Sequence, residues 1–234
     1  MSFEELKQKD QKFIANTYSR FPTDLCRGEG ATLWSESGKK YVDFGSGIAV
    51  NSFGVNDEEW KSAVIAQLNK VQHASNLYYT PPQAELAEML CSRTGAKKIF
   101  FSNSGAEANE CAIKAARKYS FDKYGEGRFR IVTLKNSFHG RTMATLSATG
   151  QEAMHRCFAP MLDGFDYAEP TFESVRAKCS KATCAVMLEL VQGEGGVRPL
   201  PVEEVQKIEK FCKKNDILLI IDEVQTGNGR TGTL

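Results

Sequence analysis

The chain has 234 residues, of which 41% are hydrophobic, 25% charged and 10% aromatic, enough apolar content for a sizeable core and too much for intrinsic disorder. Thirty Lys and Arg stand against 29 Asp and Glu, a formal charge of +1, which leaves no basic footprint for sequence-independent nucleic-acid binding. No stretch reaches the length of a membrane span, and Met1 to Phe13 alternates acids with lysines, so the start reads as neither a secretory signal nor a membrane anchor.

The first third differs from the rest. Leu33-Trp34, a turn at Glu36-Ser37-Gly38 and the alternating Lys40 to Phe44 predict a small hairpin. A helix follows, with Asn56 as its cap, Glu59 three residues on, and Trp60, Val64, Leu68 and Val71 on one face. A second helix starts at Thr80 as cap and Pro81 as first residue, with Gln83 completing the box and Leu86, Met89 and Leu90 facing inward.

From there short apolar runs alternate with helical patterns. Ile99-Phe100-Phe101, Ile131 to Leu134, Cys184 to Leu190 and Ile217 to Ile221 read as strands, which predicts an α/β domain with a mostly parallel sheet. A helix over 106–119 turns Ala108, Cys111, Ala112, Ala115 and Ala116 inward, and small residues let it lie close to the sheet. The helix over 202–214 has Val205, Ile208 and Phe211 inward, with Glu203 facing Lys207 and Glu209 facing Lys213.

The seven cysteines are odd in number and mostly sit in apolar patterns, which points to reduced, buried thiols and a cytoplasmic protein. His73, His139 and His155 are the only histidines and no Cys-x-x-Cys occurs, so no metal site is expected.

Four strand exits carry the chemistry. Phe100 to Glu107 runs from a strand through Ser102-Asn103-Ser104 into a helix, which makes either an anion site on unpaired amides or an ordinary cap. Asp222 closes the run Ile217 to Ile221, where open α/β sheets bind ligands, and a carboxylate there needs a cationic partner unless it is merely a structural acid. Asn136 to Thr142 offers the Phe138 ring, an imidazole and the Arg141 guanidinium, and Gln192 to Gly196 holds Glu194 among glycines; each alone could be a tight turn. An apolar run ending in Asp-Glu also fits a nucleotide hydrolase. That reading lacks its phosphate loop, because no G-x-x-x-x-G-K-[ST] occurs and the only Gly-Lys, Gly38-Lys39, lies in a hairpin turn; separately, Gly227-x-Gly229-x-x-Gly232 formally fits a dinucleotide fingerprint but precedes no helical pattern.

Taken together, Asn103-Ser104-Gly105-Ala106-Glu107-Ala108-Asn109, Phe138-His139-Gly140-Arg141-Thr142 and Asp222-Glu223-Val224-Gln225-Thr226-Gly227 resemble the class III, fold-type I aminotransferases that use pyridoxal 5'-phosphate, nearest the acetylornithine/ornithine branch. Tyr18 to Pro22, Arg27 to Ala31, Tyr41 to Phe44, Ser46 to Asn51 and Asn76 to Thr80 extend the likeness along the chain. The resemblance implies a mixed, mostly parallel sheet flanked by helices. It also implies an N-terminal arm with part of a smaller α+β domain over 1–72 and a partial large cofactor-binding domain over 73–234.

It further implies that Ser104, Gly105 and Ala106 hold the cofactor phosphate, and that Phe138 and Val224 cover the two ring faces. Asp222 would pair with the ring nitrogen and Gln225 would bind the phenolic oxygen. Arg141 would take the substrate carboxylate, and Glu194 would pair with a later arginine. The implied reaction moves an amino group from N-acetylornithine, or a related ω-amino donor, to 2-oxoglutarate in arginine biosynthesis, within a homodimer and without nucleic acid or membrane.

Two departures stand out: Val55 follows Asn51-Ser52-Phe53-Gly54 where the family usually has histidine, and no lysine follows Asp222. The second implies a C-terminally truncated chain without the Schiff-base lysine, inactive alone. The alternative is a non-catalytic remnant.

Overall fold

The structure is a computed structural model that describes residues 1–232. It divides into two compact units, Met1–Pro81 and Pro82–Leu234.

In the first unit, α1 (Phe3–Phe13) starts at a full capping box, in which Glu5 N–H donates to Ser2 Oγ and Ser2 N–H to Glu5 Oε2. The expected hairpin forms between β2 (Thr32–Trp34) and β3 (Lys40–Val42), with Leu33 opposite Tyr41, and β1 (Arg27–Glu29) adds a third antiparallel strand. A short irregular turn, α2 (Ser46–Ala49), leads to α3 (Glu58–Leu68).

The cap of α3 is Asp57, one residue later than expected. Asn56 sits at φ +66°, whereas Asp57 has the extended backbone a cap requires and accepts Trp60 N–H at 2.7 Å. Among the described residues of this unit only Ser35 is buried, and Trp60, Val64, Leu68 and Val71 remain exposed. The apolar stripe is present, but nothing inside the unit covers it.

In the second unit, α4 (Pro81–Thr94) has its expected start, yet Leu86 and Met89 are exposed. Four strands form one parallel sheet in the order β5 (Phe165–Ala168), β4 (Arg130–Leu134), β6 (Thr183–Leu188), β9 (Leu218–Ile221). A strand exists only when a neighbouring backbone completes its ladder. Ile99-Phe100-Phe101 has the composition of one and no ladder partner among the described residues, with Phe100 exposed.

The pleat sorts the side chains of the sheet onto two faces. Val132, Leu134, Val186 and Leu188 join Val175 of α8 (Phe172–Lys178) with Ile208 and Cys212 of α9 (Val202–Lys214). Ile131, Ala185 and Met187 join Ile113 and Ala116 of α5 (Gly105–Tyr124) and Ala148 of α6 (Met143–Ala148). Each α/β face therefore has its own core.

Three expectations shift in detail. The buried stripe of α5 is Asn109, Ile113, Ala116 and Ser120, and Ala115 points outward. Lys207 pairs with Glu204 at 2.8 Å, not with Glu203. All seven cysteines are free, but only Cys184 and Cys212 are buried, while Cys26 and Cys157 are exposed. Small elements complete the unit: α7 (Glu152–His155) and the two-residue strands β7 (Val191–Gln192) and β8 (Arg198–Pro199). No helix among the described residues is long and apolar enough to cross a membrane, and no cluster of three or more potential metal ligands occurs among them.

Candidate active site

Parallel strands deliver their carboxyl ends to one rim of the sheet. At that rim lies a cavity of about 420 Å³, lined by Ser104, Gly105 and Ala106 from the start of α5, by Phe138 to Thr142 after β4, and by Asp222, Val224 and Gln225 after β9, with Asn109 between them. A larger cleft, about 690 Å³, is lined by Ala182 and Ile217, just before β6 and β9, so it lies at the strands' amino ends. There the Arg128 guanidinium is committed to the carbonyls of Thr183, Asn215 and Asp216.

Ser104 is the N-cap of α5: its backbone is extended and its hydroxyl accepts Glu107 N–H at 3.2 Å. Capping satisfies one amide of the first turn and leaves others to point at whatever anion enters. Glu107 folds back to accept Asn103 N–H at 2.7 Å, which tightens the entry turn. Gly105 allows the next close approach, since a Cβ there would lie 2.6 Å from Val224 Cγ1.

After β4, the chain needs Gly140 at φ +132°, where a side chain would strike both Thr145 and Ala106. Thr142 then caps α6 in a box with Thr145 and donates its hydroxyl hydrogen to Glu110 Oε1 at 2.6 Å. Phe138 N–H donates to Glu189 Oε2 at 3.0 Å and His139 N–H to Thr149 Oγ1 at 2.9 Å.

Asp222 is 6% exposed. Its Oδ2 accepts from Asn109 Nδ2 at 2.7 Å and from His139 Nδ1 at 2.8 Å, and its Oδ1 accepts Val224 N–H at 3.0 Å. Burial pushes the carboxyl's pKa up, but the hydrogen bonds from His139, Val224 N–H and Asn109, with the attraction of His139, outweigh it and hold Asp222 below the usual range. An ionised carboxylate therefore stands in the cavity wall, and Oδ1, with one donor, keeps capacity for a further cationic or N–H partner. His139 Nε2 is buried without a hydrogen-bond partner, which is costly unless the site supplies one.

The structure brings together eight of the nine expected site residues: Ser104, Gly105, Ala106, Phe138, Arg141, Asp222, Val224 and Gln225. Glu194 is exposed on the tight turn between β7 and β8 and does not line the cavity. That turn is closed by Gly196 N–H donating to the Gly193 carbonyl at 3.0 Å. Among the described residues no lysine lines the cavity.

Sequence reasoning missed three functional neighbours. Asn109 and His139 were visible only as members of motifs, and their shared grip on Asp222 joins positions 113 and 83 residues apart. Glu189 carried a signal, being an acid inside the apolar run from Cys184 to Leu190. Neither glycine segment opens a helix: Gly38 lies in the turn before β3, and Gly227 to Gly232, the formal dinucleotide fingerprint, lies among turns.

Comparison with known proteins agrees with this architecture. The acetylornithine aminotransferase of Haemophilus ducreyi is 51% identical over 236 residues, covering 100% of this chain and 60% of that protein. That of Caldanaerobacter subterraneus is 48% identical, covering 96% of this chain and 58% of that protein. The chain thus spans about 60% of the length of these curated relatives. Among solved structures, the ornithine aminotransferase of Toxoplasma gondii superposes with a TM-score of 0.94 at 25% identity, over 100% of this chain and 56% of that one. The N-acetylornithine aminotransferase of Stenotrophomonas maltophilia gives 0.80 at 33% identity, over 97% and 56%. The class-III aminotransferase profile matches residues 13–234, and with the fold shared as well, the chain belongs to the class-III aminotransferases, built on the fold-type I scaffold.

Proposed function

We propose that this chain is the cofactor-cradling part of a pyridoxal-phosphate-dependent aminotransferase that moves an amino group from N-acetylornithine to 2-oxoglutarate, a step of arginine biosynthesis. The observation that carries this is Asp222, a buried carboxylate held ionised by three donors in the same cavity as a helix N-terminus. The donor choice rests on relatives named acetylornithine aminotransferase at 48–51% identity.

The residues fit the cofactor. The amides of Gly105 and Ala106 and the Ser104 hydroxyl suit its phosphate, Phe138 and Val224 suit the two ring faces, and Gln225 suits the phenolic oxygen. When bound, pyridoxal phosphate supplies an electron-withdrawing ring that accepts the electron pair left as the carbon bearing the amine loses its proton.

The chain's own residues do the rest. Asp222 keeps a proton on the ring nitrogen, because a negative charge desolvated beside it favours the protonated form. His139 and Asn109 hold that carboxylate in place. Arg141 grips a substrate carboxylate through its planar fork. Glu194 and any proton-moving lysine lie outside the cavity's described lining.

Homodimer formation and a cytoplasmic setting are part of the proposal. The exposed Phe44, Ile48, Leu77 and Tyr79 of the first unit support the former, and seven free cysteines support the latter.

A polypeptide that carries this chain at the relatives' full length is expected to transfer amine from N-acetylornithine to 2-oxoglutarate with a higher kcat/KM than from ornithine, succinylornithine or 4-aminobutyrate. A preference for one of the other donors would overturn the substrate assignment. The 234-residue chain is expected to bind pyridoxal phosphate reversibly, with borohydride fixing none of it to the protein; stoichiometric fixation would show that another lysine substitutes. Gly105→Ala should weaken that binding more than tenfold in equilibrium dialysis, because the new methyl group drives Val224 away from the α5 N-terminus.

A further inference from the structure

Glu189 is a buried acid that no step above uses; it is 3% exposed and follows β6 directly. Since β6 lies between β4 and β9, its exit separates the segment that carries Phe138 and His139 from the segment that carries Asp222. The carboxyl reaches across the first gap and accepts Phe138 N–H at 3.0 Å. Phe138 and His139 are consecutive and both line the cavity, so this bond helps to place the segment, alongside His139 N–H donating to Thr149 Oγ1 and the imidazole that meets Asp222.

We infer that Glu189 is a positioning residue of the cavity, holding the Phe138-His139 segment in place and coupling its geometry to the charge state of the buried carboxyl. Three elements face it. His139, after β4, favours its ionised form; Asp222, after β9, opposes it; the turn after β7 contributes Gly193 N–H. Burial is the largest influence and pushes Glu189 up to about 7, against the opposing hydrogen bond from Phe138 N–H. Its charge therefore changes in the neutral range, and with it the strength of the bond to Phe138, since an ionised acceptor makes the stronger hydrogen bond. Glu189 acts on the cavity whatever occupies it; only its weight in amino transfer rests on the proposed function.

The test is NMR on the 234-residue chain without cofactor. With the glutamate δ-carboxyl carbons and histidine ring nitrogens labelled, Glu189 is expected to titrate near pH 7. The Phe138 amide proton should move downfield and the His139 ring signals should shift, both with that same midpoint. Only three histidines occur, so replacing His73 and His155 assigns the ring signals. In Glu189→Gln, whose neutral side chain still accepts Phe138 N–H, both shifts should disappear while the fold persists. A Glu189 that titrates in the ordinary carboxylate range overturns the inference, as do Phe138 and His139 signals that ignore its titration in wild type. Shifts unchanged in Glu189→Gln would overturn it too. A purely structural role would produce no shared midpoint. Because neither measurement adds cofactor, a negative result leaves the proposed function untouched.

Discussion

Asp222→Asn is expected to lower pyridoxal-phosphate affinity at least a hundredfold and to destabilise the chain by about 1–3 kcal/mol, the usual cost of leaving a buried hydrogen-bonding group unsatisfied. Asp222 Oδ2 accepts from both His139 Nδ1 and Asn109 Nδ2. An amide has one acceptor oxygen where the carboxylate has two, so its NH2 group must face a donor on one side or the other. Urea unfolding followed by circular dichroism gives the stability, and dialysis gives the affinity. A variant as stable as wild type would show that the acid is not what holds His139 and Asn109.

The pH dependence has a definite sign. Asp222 titrates below its ordinary value in the folded chain. Its contribution is therefore fully present above the unfolded aspartate value, about 3.9, and is lost as pH falls through the lower folded value. The gap between wild type and Asp222→Asn should narrow in that acid window and stay constant from pH 5 to 6.

Leu188→Ala is expected to cost about 2–5 kcal/mol of stability, in the range found for large-to-small changes at fully buried positions. Leu188 is 0% exposed on the central strand β6, packed in the cluster that joins the sheet to α8 and α9. Its carbonyl also accepts Asp222 N–H at 2.8 Å, so a strand that shifts to fill the void moves the acid with it. Cofactor affinity should fall along with the unfolding midpoint. A loss below 1 kcal/mol would mean that this face of the sheet collapses around the cavity.

Glu194 and Asp222 show how legibility in the sequence divides. Both were read as acids at strand exits, and both occur where a β segment gives way to a loop. Asp222 reaches the cavity because the apolar run pairs in parallel with β6, which delivers the carboxyl end of β9 to the rim. Glu194 follows only two residues of β7, in a glycine-rich turn, and nothing local decides where such a turn points. The cap of α3 is a smaller case: Asn56 and Asp57 both have capping side chains, and only the backbone conformation chooses.

Local chemistry was enough to determine the strands at β4, β6 and β9, the helices that start at Pro81 and Val202, and the polar segments after β4 and β9 and at the start of α5 that line the cavity. Periodicity and capping act over a few residues, and those residues are all in view in the chain. Tertiary structure alone decided that Ile99-Phe100-Phe101 has no ladder partner among the described residues and that Leu86 and Met89 are left exposed. It also decided that Asp222 shares a hydrogen bond with an imidazole 83 residues away. Pairing, burial and charge compensation depend on which segments meet in space, and no short stretch of sequence carries that information.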